Sequence, residues 1–451
     1  MAKKVSGTKK VDTITVNASN VIVVTGKKTE TTPITKSGKN YIFGDKGNDI
    51  IFVKGSKKNY IYGDDKKHKI SGKDKITITS GTDNIVYGGK GNDTITINGG
   101  SKNTIYGGAG KDTFIFGKKG SATIKDYRFG QDTLKFSSGI VTSAKLSGKD
   151  NVIFKAGNAS ATLAGVAKQA VSLKDKRGSY IVSDTMIALG KDFTGTMNVN
   201  KYLTTVTTID GRKATKAVNI TGNALNNTIY VGNAGGTVNG GAGNDKIYVG
   251  YEFNSNKMTY GTQTINAGDG DNYIEVTFSQ KGKNKITING GKDTDKIWIN
   301  DAKSKNMTIN GGGGFNIFDI SGTGHTVIGD AGSDNYEIKG TGHVLKNVGG
   351  GDNIDIVESM AGRSLTIERK FYADDIDNED VIYFRSDAVE DMKFATSDDL
   401  LTITHKNGGG LSISNWDSER TLLIIFGDYS DPAYDRFTIG TNVKVQGATP
   451  G

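Results

Sequence analysis

Seven short stretches of this chain set an aspartate or asparagine just behind a glycine turn. The clearest are Gly44-Asp45-Lys46-Gly47-Asn48-Asp49, Gly88-Gly89-Lys90-Gly91-Asn92-Asp93, Gly107-Gly108-Ala109-Gly110-Lys111-Asp112 and Gly240-Gly241-Ala242-Gly243-Asn244-Asp245. Looser copies run over residues 290–297, 311–317 and 329–336. Glycine allows a tight turn with positive φ and leaves main-chain carbonyls open to a cation. The aspartate adds a hard carboxylate oxygen, the donor that calcium or magnesium takes. The chemistry on offer is therefore cation binding by turns.

Each turn runs into a short stretch of alternating β-branched residues, such as Thr94-Ile95-Thr96-Ile97, which suits a strand with one buried face. A strand that buries so little cannot stand alone, so the repeats must stack on one another. The acid-or-amide position tracks this stacking. In the first array it falls at Asn40, Asp49, Asn59, Asp74, Asp83, Asp93, Asn103 and Asp112. Steps are 9 or 10 residues, except for 15 between Asn59 and Asp74, where Lys66-Lys67-His68 looks inserted. In the second array Asn316, His325, Asp334, His343 and Asp352 keep a step of 9.

The pattern G-G-x-G-x-D-x-U-x, with U apolar, resembles the RTX (haemolysin-type) nonapeptide of calcium-binding parallel β-rolls. The resemblance implies an all-β chain: two parallel β-roll (β-solenoid) arrays separated and capped by non-repeat β domains. It also implies Ca2+ between successive turns on one edge. The ligands it implies in the first array are Gly44, Gly47, Asp49, Asp74, Gly88, Gly91, Asp93, Gly107, Gly110 and Asp112. In the second they are Gly240, Gly243, Asp245, Asp269, Asp271, Asp295, Gly329, Gly332, Asp334 and Asp352. The best-formed sites are expected between Asp93 and Asp112 and between Asp334 and Asp352, with Asp245 and either Asp269 or Asp271 as a third. Asn272 and Asn316 stand where aspartate is expected, so those turns fit the pattern less well. A solenoid that folds without metal is the alternative.

Alternate half-turns belong on opposite edges. The edge away from the metal carries Asn40, Asn59, Asp83 and Asn103, then Asn284, Asn306, His325 and His343. Lys39, Lys58, Lys102, Lys283 and Lys305 precede several of these. The lysines either close that edge with their ammonium groups or are solvated surface charge.

The repeats divide the chain into an N-terminal β segment or cap (1–35), a first roll (36–120), a β spacer or cap (121–220), a second roll (221–357) and a C-terminal β domain (358–451). The segment Ile124-Lys125-Asp126-Tyr127 through Asp132 resembles the strand pair that often follows such arrays. Residues 398–416 resemble the domain that follows haemolysin-type repeats, with Trp416 expected in its core. The acidic run Asp374 to Asp380 lacks the central glycine and closing glutamate of an EF-hand loop and reads as a solvated loop.

Composition narrows the function. The absence of cysteine removes disulfides, zinc–thiolate sites and thiol catalysis. No apolar run approaches the ~18 residues of a membrane helix. There is no H-E-x-x-H motif, the four histidines are scattered, and the glycine turns lead into strands, so no enzyme is expected. Only 8 of the 57 basic residues are arginine, which argues against nucleic acid and fits weak adhesion to acidic surface polysaccharide. Charge is divided unevenly. Residues 355–451 hold 9 Lys+Arg and 18 Asp+Glu, a net of −9, whereas residues 1–354 hold 48 and 30, a net of +18. That asymmetry favours head-to-tail self-association.

The expectation is an extracellular or cell-surface structural protein that folds on external calcium and assembles into a layer, filament or matrix. The resemblance implies export without a cleaved N-terminal signal, directed by the tail from Phe437 to Gly451. A calcium-dependent adhesin or carbohydrate-binding protein is the rival, with 121–220 or 358–451 as its recognition surface. Threonine pairs such as Thr77 and Thr79 or Thr94 and Thr96 are expected to be ordinary strand residues, with no ladder in register through the second array.

Overall fold

Strict alternation of buried and outward residues, as in Thr94–Ile97 and Thr113–Phe116, makes each repeat a strand with one dry face. The computed structural model describes residues 3–34, 39–55, 57–65, 71–232, 234–250, 261–277, 285–370, 380–397, 399–415 and 422–426, and the backbone of 435–439. The chain is nearly all β, with long parallel sheets of a roll-like, solenoid type. It divides into two units. The first comprises Met1–Thr194 with Asn198–Val206, and the second Gly195–Met197 with Thr207–Gly451.

In the first unit successive strands alternate between two rows, so two strands make one coil. One row stacks Thr13–Val16, Ile50–Val53, Lys75–Ile78, Thr94–Ile97, Thr113–Phe116, Thr133–Phe136 and Val171–Asp175, all parallel. The other stacks Lys4–Ser6, Tyr41–Phe43, Tyr60–Tyr62, Ile85–Lys90, Asn103–Ala109, Ser121–Ile124 and Ala159–Leu163. Because the pairing is in register, identical positions form files. Ile14, Ile51, Ile76, Ile95, Phe114 and Leu134 are one such file, every member fully buried. Burying each side chain of this size stabilises by about 1.5–3 kcal/mol, so the files are the core of the fold.

Parallel pairing ends in antiparallel hairpins. Asn20–Thr25 and Lys28–Pro33 fold over the first coil. At the far end Asn151–Ala156 with Ser143–Ser147 closes one row, and Gly178–Val182 with Met186–Leu189 the other. The first coil is thus built from residues 4–16, inside the segment expected as an N-terminal β segment or cap. Residues 121–220 are shared between the units.

The second unit repeats the plan. One row runs from Thr208–Asp210 through Thr228–Val231, Lys246–Val249, Tyr273–Val276, Lys296–Ile299, Ile317–Ile320, Asn335–Ile338, Asn353–Ile356 and Asp380–Phe384 to Leu422–Phe426. The facing row runs from Val218–Thr221 to Ser364–Arg369 and Gly410–Ser414, then turns antiparallel through Leu400–His405 and Met392–Ser397. On this row Thr237, Thr264, Thr287, Thr308 and Thr326 lie in register. That file holds one threonine per strand, with Asn239, Asn266, Asn289, Asn310 and Ile328 two residues on, so no Thr-x-Thr ladder runs along these strands. Lys66 to His68, Lys283, Asn284, Asp374 to Glu379 and Trp416 fall outside the described residues.

Candidate metal centre

The aspartates at the turn-to-strand junctions stack into one column in the first unit. The main-chain N–H of each rung donates to Oδ1 of the aspartate one coil further on. Asp12 donates to Asp49 at 2.7 Å, Asp49 to Asp74 at 2.7 Å and Asp74 to Asp93 at 2.8 Å. Asp93 donates to Asp112 at 2.9 Å and Asp112 to Asp132 at 3.0 Å. All six are buried. The column fixes one carboxylate oxygen per rung and leaves the other to find its own partner.

For four consecutive rungs there is none among the described residues. Oδ2 of Asp49, Asp74, Asp93 and Asp112 is buried without a hydrogen bond. Leaving a buried polar group unsatisfied costs about 1–3 kcal/mol, and more when it is charged. Burial, chiefly, and then the neighbouring carboxylates push Asp49 and Asp74 up to about 7 and Asp93 to about 8; burial again leads at Asp112, at about 6. The column resists ionisation unless something positive joins it.

The turns beside these oxygens admit only glycine. A Cβ placed on Gly88 would lie 2.6 Å from Asp93 Oδ2 and 2.5 Å from the Gly107 carbonyl oxygen, so both oxygens crowd the Gly88 main chain. Gly44 faces Asp49 Oδ2 and the Gly63 carbonyl, and Gly63 faces Asp74 Oδ2 and the Gly88 carbonyl. Gly107 faces Asp112 Oδ2. Gly47, Gly91 and Gly110 have φ of 123°, 121° and 134° and shape the turns without facing a carboxylate. Among the described residues no three His, Cys, Asp or Glu side chains gather as a metal site. A cation here would take one or two carboxylate oxygens and draw the rest from turn carbonyls, as hard cations readily do.

The second unit has a column with different chemistry. Its rungs are Asn227, Asp245, Asn272, Asp295, Asn316, Asp334, Asp352 and Asp380, joined by the same N–H to Oδ1 bonds. Oδ2 is orphaned only at Asp245 and Asp295, and burial raises both to about 6. Gly240 faces Asp245 Oδ2 and the Ala267 carbonyl, while Gly290 faces Asp295 Oδ2 and the Gly311 carbonyl. Gly243 has φ 99° and meets the Asn226 turn.

Asp334 and Asp352, expected as a paired site, have protein partners for Oδ2. The Tyr336 hydroxyl donates to Asp334 at 3.3 Å, and the Gly349 N–H to Asp352 at 2.9 Å. Burial raises Asp334 to about 6 and Asp352 to about 9. Gly329 lies against the Tyr336 hydroxyl and Asp334, and Gly332 against the Gly314 carbonyl. Asp269 and Asp271 are not rungs. Asp269 meets Lys292 at 3.0 Å on the surface, and Asp271 is exposed and accepts the Thr294 N–H at 3.2 Å. Asn272 holds their expected place because the strand Tyr273–Val276 begins one residue after it.

The opposite edge is an amide column. Asn40, Asn59, Asn84 and Asn103 are buried, each N–H meeting the next Oδ1 at 3.1–3.3 Å. The rung is Asn84, and the expected Asp83 is exposed with φ 55°. Lys39, Lys58 and Lys102 take the same left-handed turn position, at φ 61°, 52° and 54°, and point to solvent. Lys305 is also exposed, so among the described residues no lysine ammonium closes this edge. In the second unit the rungs are Met307, His325 and His343, while Asn306 takes the left-handed place at φ 53°. The two imidazoles stack at 5.1 Å, and burial holds His325 down at about 4 and His343 below its usual range.

Gly63, Asp12 and Asp380 escaped the glycine pattern. Gly63 belongs to the turn interrupted before Asp74, and Asp12 and Asp380 lack the full glycine run. Each aspartate is nonetheless followed by an alternating strand, Thr13–Val16 or Asp380–Phe384, and that signal could have found them. Asp380 is no solvated loop residue. It is buried, and Arg369 Nε and Nη2 donate to its Oδ2 at 2.9 and 2.6 Å. No family model and no curated protein matches this chain.

Proposed function

We propose that this chain is a non-catalytic, calcium-binding structural protein of the RTX type, folded by external calcium and assembling outside the cell. The observation that carries the reading is the run of four orphaned carboxylate oxygens at Asp49, Asp74, Asp93 and Asp112, each except Asp112's converging with a turn carbonyl beside a glycine. A hard divalent cation satisfies both groups at once, and folding that creates the site is driven by binding it. Gly44, Gly63, Gly88 and Gly107 would line the cation positions with those aspartates in the first unit, and Gly240 and Gly290 with Asp245 and Asp295 in the second. Calcium above its dissociation constant would then stabilise the fold by mass action.

Assembly into a layer, filament or matrix rests on the charge division between a +18 body and a −9 C-terminal segment. Opposite net charges on two parts of one chain favour heterologous head-to-tail contacts. Dispersed lysines would add adhesion to acidic polysaccharide. The scaffold reading is preferred to the adhesin because the aromatic file Phe43, Tyr62, Tyr87 and Tyr106 stacks ring on ring at 4.8 Å. Those faces are spent on each other. No helix among the described residues is long and apolar enough to cross a membrane.

The test is a calorimetric calcium titration with circular dichroism, followed by light scattering and electron microscopy. Binding heat with a gain of β signal is expected, then growth in particle size. A chain that ignores calcium sinks the metal reading. One that binds calcium but stays monomeric sinks the assembly.

A further inference from the structure

The two aspartate columns share one geometry but differ at a single atom per rung. In the first unit that atom is an orphaned Oδ2 on four successive rungs. In the second unit protein groups occupy the place. Asn272 Nδ2 donates to the Gly270 carbonyl at 2.7 Å, and Asn316 Nδ2 faces the Gly313 carbonyl at 3.4 Å. The substitution is positional. A Cβ on Gly311 would lie 2.8 Å from Asn316 Nδ2, just as one on Gly88 lies 2.6 Å from Asp93 Oδ2. Further along, the Tyr336 hydroxyl serves Asp334 and the Arg369 guanidinium serves Asp380.

We infer that Asn272, Asn316, Tyr336 and Arg369 are built-in replacements for cations, so that the second unit from Ile317 onward holds its fold without calcium while the first unit requires it. An amide presents two N–H donors to the carbonyls that would otherwise face a metal, and it carries no charge needing neutralisation. A guanidinium brings both the charge and a planar fork, which matches a carboxylate. Alternating Asn with Asp also separates Asp245 from Asp295 by a neutral rung, so their carboxylates do not repel each other as the neighbours in the first column do. Calcium demand at the rungs therefore falls along the second column: present at Asp245 and Asp295, absent from Asn316 to Asp380, where among the described residues the one orphaned carboxylate oxygen is Asp330 Oδ2, in the turn before Asp334 and off the column.

This inference rests on the calcium reading, and hydrogen exchange on the full chain separates the two. With calcium against chelator, exchange over residues 75–116 is expected to slow at least ~10-fold, whereas over 317–356 it changes by less than ~2-fold. Equal slowing in both segments overturns the inference and leaves the calcium reading standing. No slowing anywhere overturns both. Asn316→Asp supplies a second measurement, since it joins Asp295 to Asp334, Asp352 and Asp380 in a run of five successive carboxylate rungs. The variant is expected to bind one more calcium and to make exchange over 317–356 calcium-dependent. An Asn316→Asp chain with unchanged stoichiometry and exchange overturns the assignment of the amide.

Discussion

Asp93 sits at the middle of the first column, so neutralising it by Asp93→Asn separates the roles of the carboxylate most sharply. Its Oδ1 would still accept the Asp74 N–H, now 2.8 Å away, and the backbone ladder would persist. Its Oδ2, buried and unpartnered, would become an amide Nδ2 placed as Asn272 Nδ2 is, where a turn carbonyl accepts at 2.7 Å. Without calcium the change removes a charge that burial holds at a pKa of about 8, between Asp74 and Asp112. It replaces an unsatisfied atom, at about 1–3 kcal/mol, with a hydrogen bond worth about 0.5–1.5 kcal/mol. The variant should be more stable than the parent by about 2–4 kcal/mol in chelator, at about pH 9, where the parent carboxylates are forced to ionise. With calcium that advantage is largely cancelled. Loss of one site held at 100 times its dissociation constant forfeits about 2.7 kcal/mol. Urea unfolding followed by circular dichroism, with and without calcium, reads both arms. A variant destabilised equally in both conditions would mean that the carboxylate packs or orders the turn and has no bearing on a cation, and the reasoning would fail.

Other perturbations test neighbouring steps. Because Asp49, Asp74 and Asp93 have folded-state values raised to about 7, 7 and 8, the calcium-free fold is favoured at low pH. Its stability is expected to fall as pH rises from about 4 through about 8, where the unfolded chain ionises first; calcium should reverse that slope and release protons on binding, measurable by calorimetry in two buffers. Gly88→Ala puts a methyl 2.5 Å from the Gly107 carbonyl oxygen, so it should remove one calcium from the titration and cost about 1–3 kcal/mol by overpacking. Arg369→Met leaves the buried Asp380 carboxylate without its ion pair, and a loss of about 3–5 kcal/mol is expected, equal with and without calcium, by urea unfolding of the second unit.

Much of this architecture was legible because a parallel coil repeats its chemistry at fixed steps. The glycine run marked Asp49, Asp93, Asp112 and Asp245, and the alternation of Thr with Ile marked the strands that follow. The errors were errors of one residue. Spacing points to Asp83 and Asn306, whereas the rungs are their neighbours Asn84 and Met307, because spacing alone does not say which of two adjacent residues turns inward. The backbone decides: the first of each pair takes a left-handed turn position, φ 55° and 53°, and its side chain leaves the column. Asp271 failed for a similar reason, since Asn272 stands next to the strand. What spacing could not show at all was the partner of each second oxygen. Gly349 and Asp352 are three residues apart, but Arg369 reaches Asp380 across 11 residues, and no local pattern encodes that contact.

On the calcium reading, the column lets a repeat array grade its need for metal without losing its register. Oδ1 of either Asp or Asn accepts the N–H of the preceding rung, so the stacking of coils is indifferent to the choice between them. Oδ2 against Nδ2 is then a separate decision, one atom wide, between a turn that takes a cation and a turn that satisfies itself. Where four carboxylates follow one another, ionising any of them raises the cost of ionising the next, and a cation at one turn lowers it for its neighbours. Calcium binding in the first unit should for that reason be cooperative along the column. In the second unit neutral rungs interrupt the series, and sites at Asp245 and Asp295 should fill independently. On the calcium reading, the same backbone would support a sharp response to calcium in one unit and a fold largely indifferent to it in the later coils of the other.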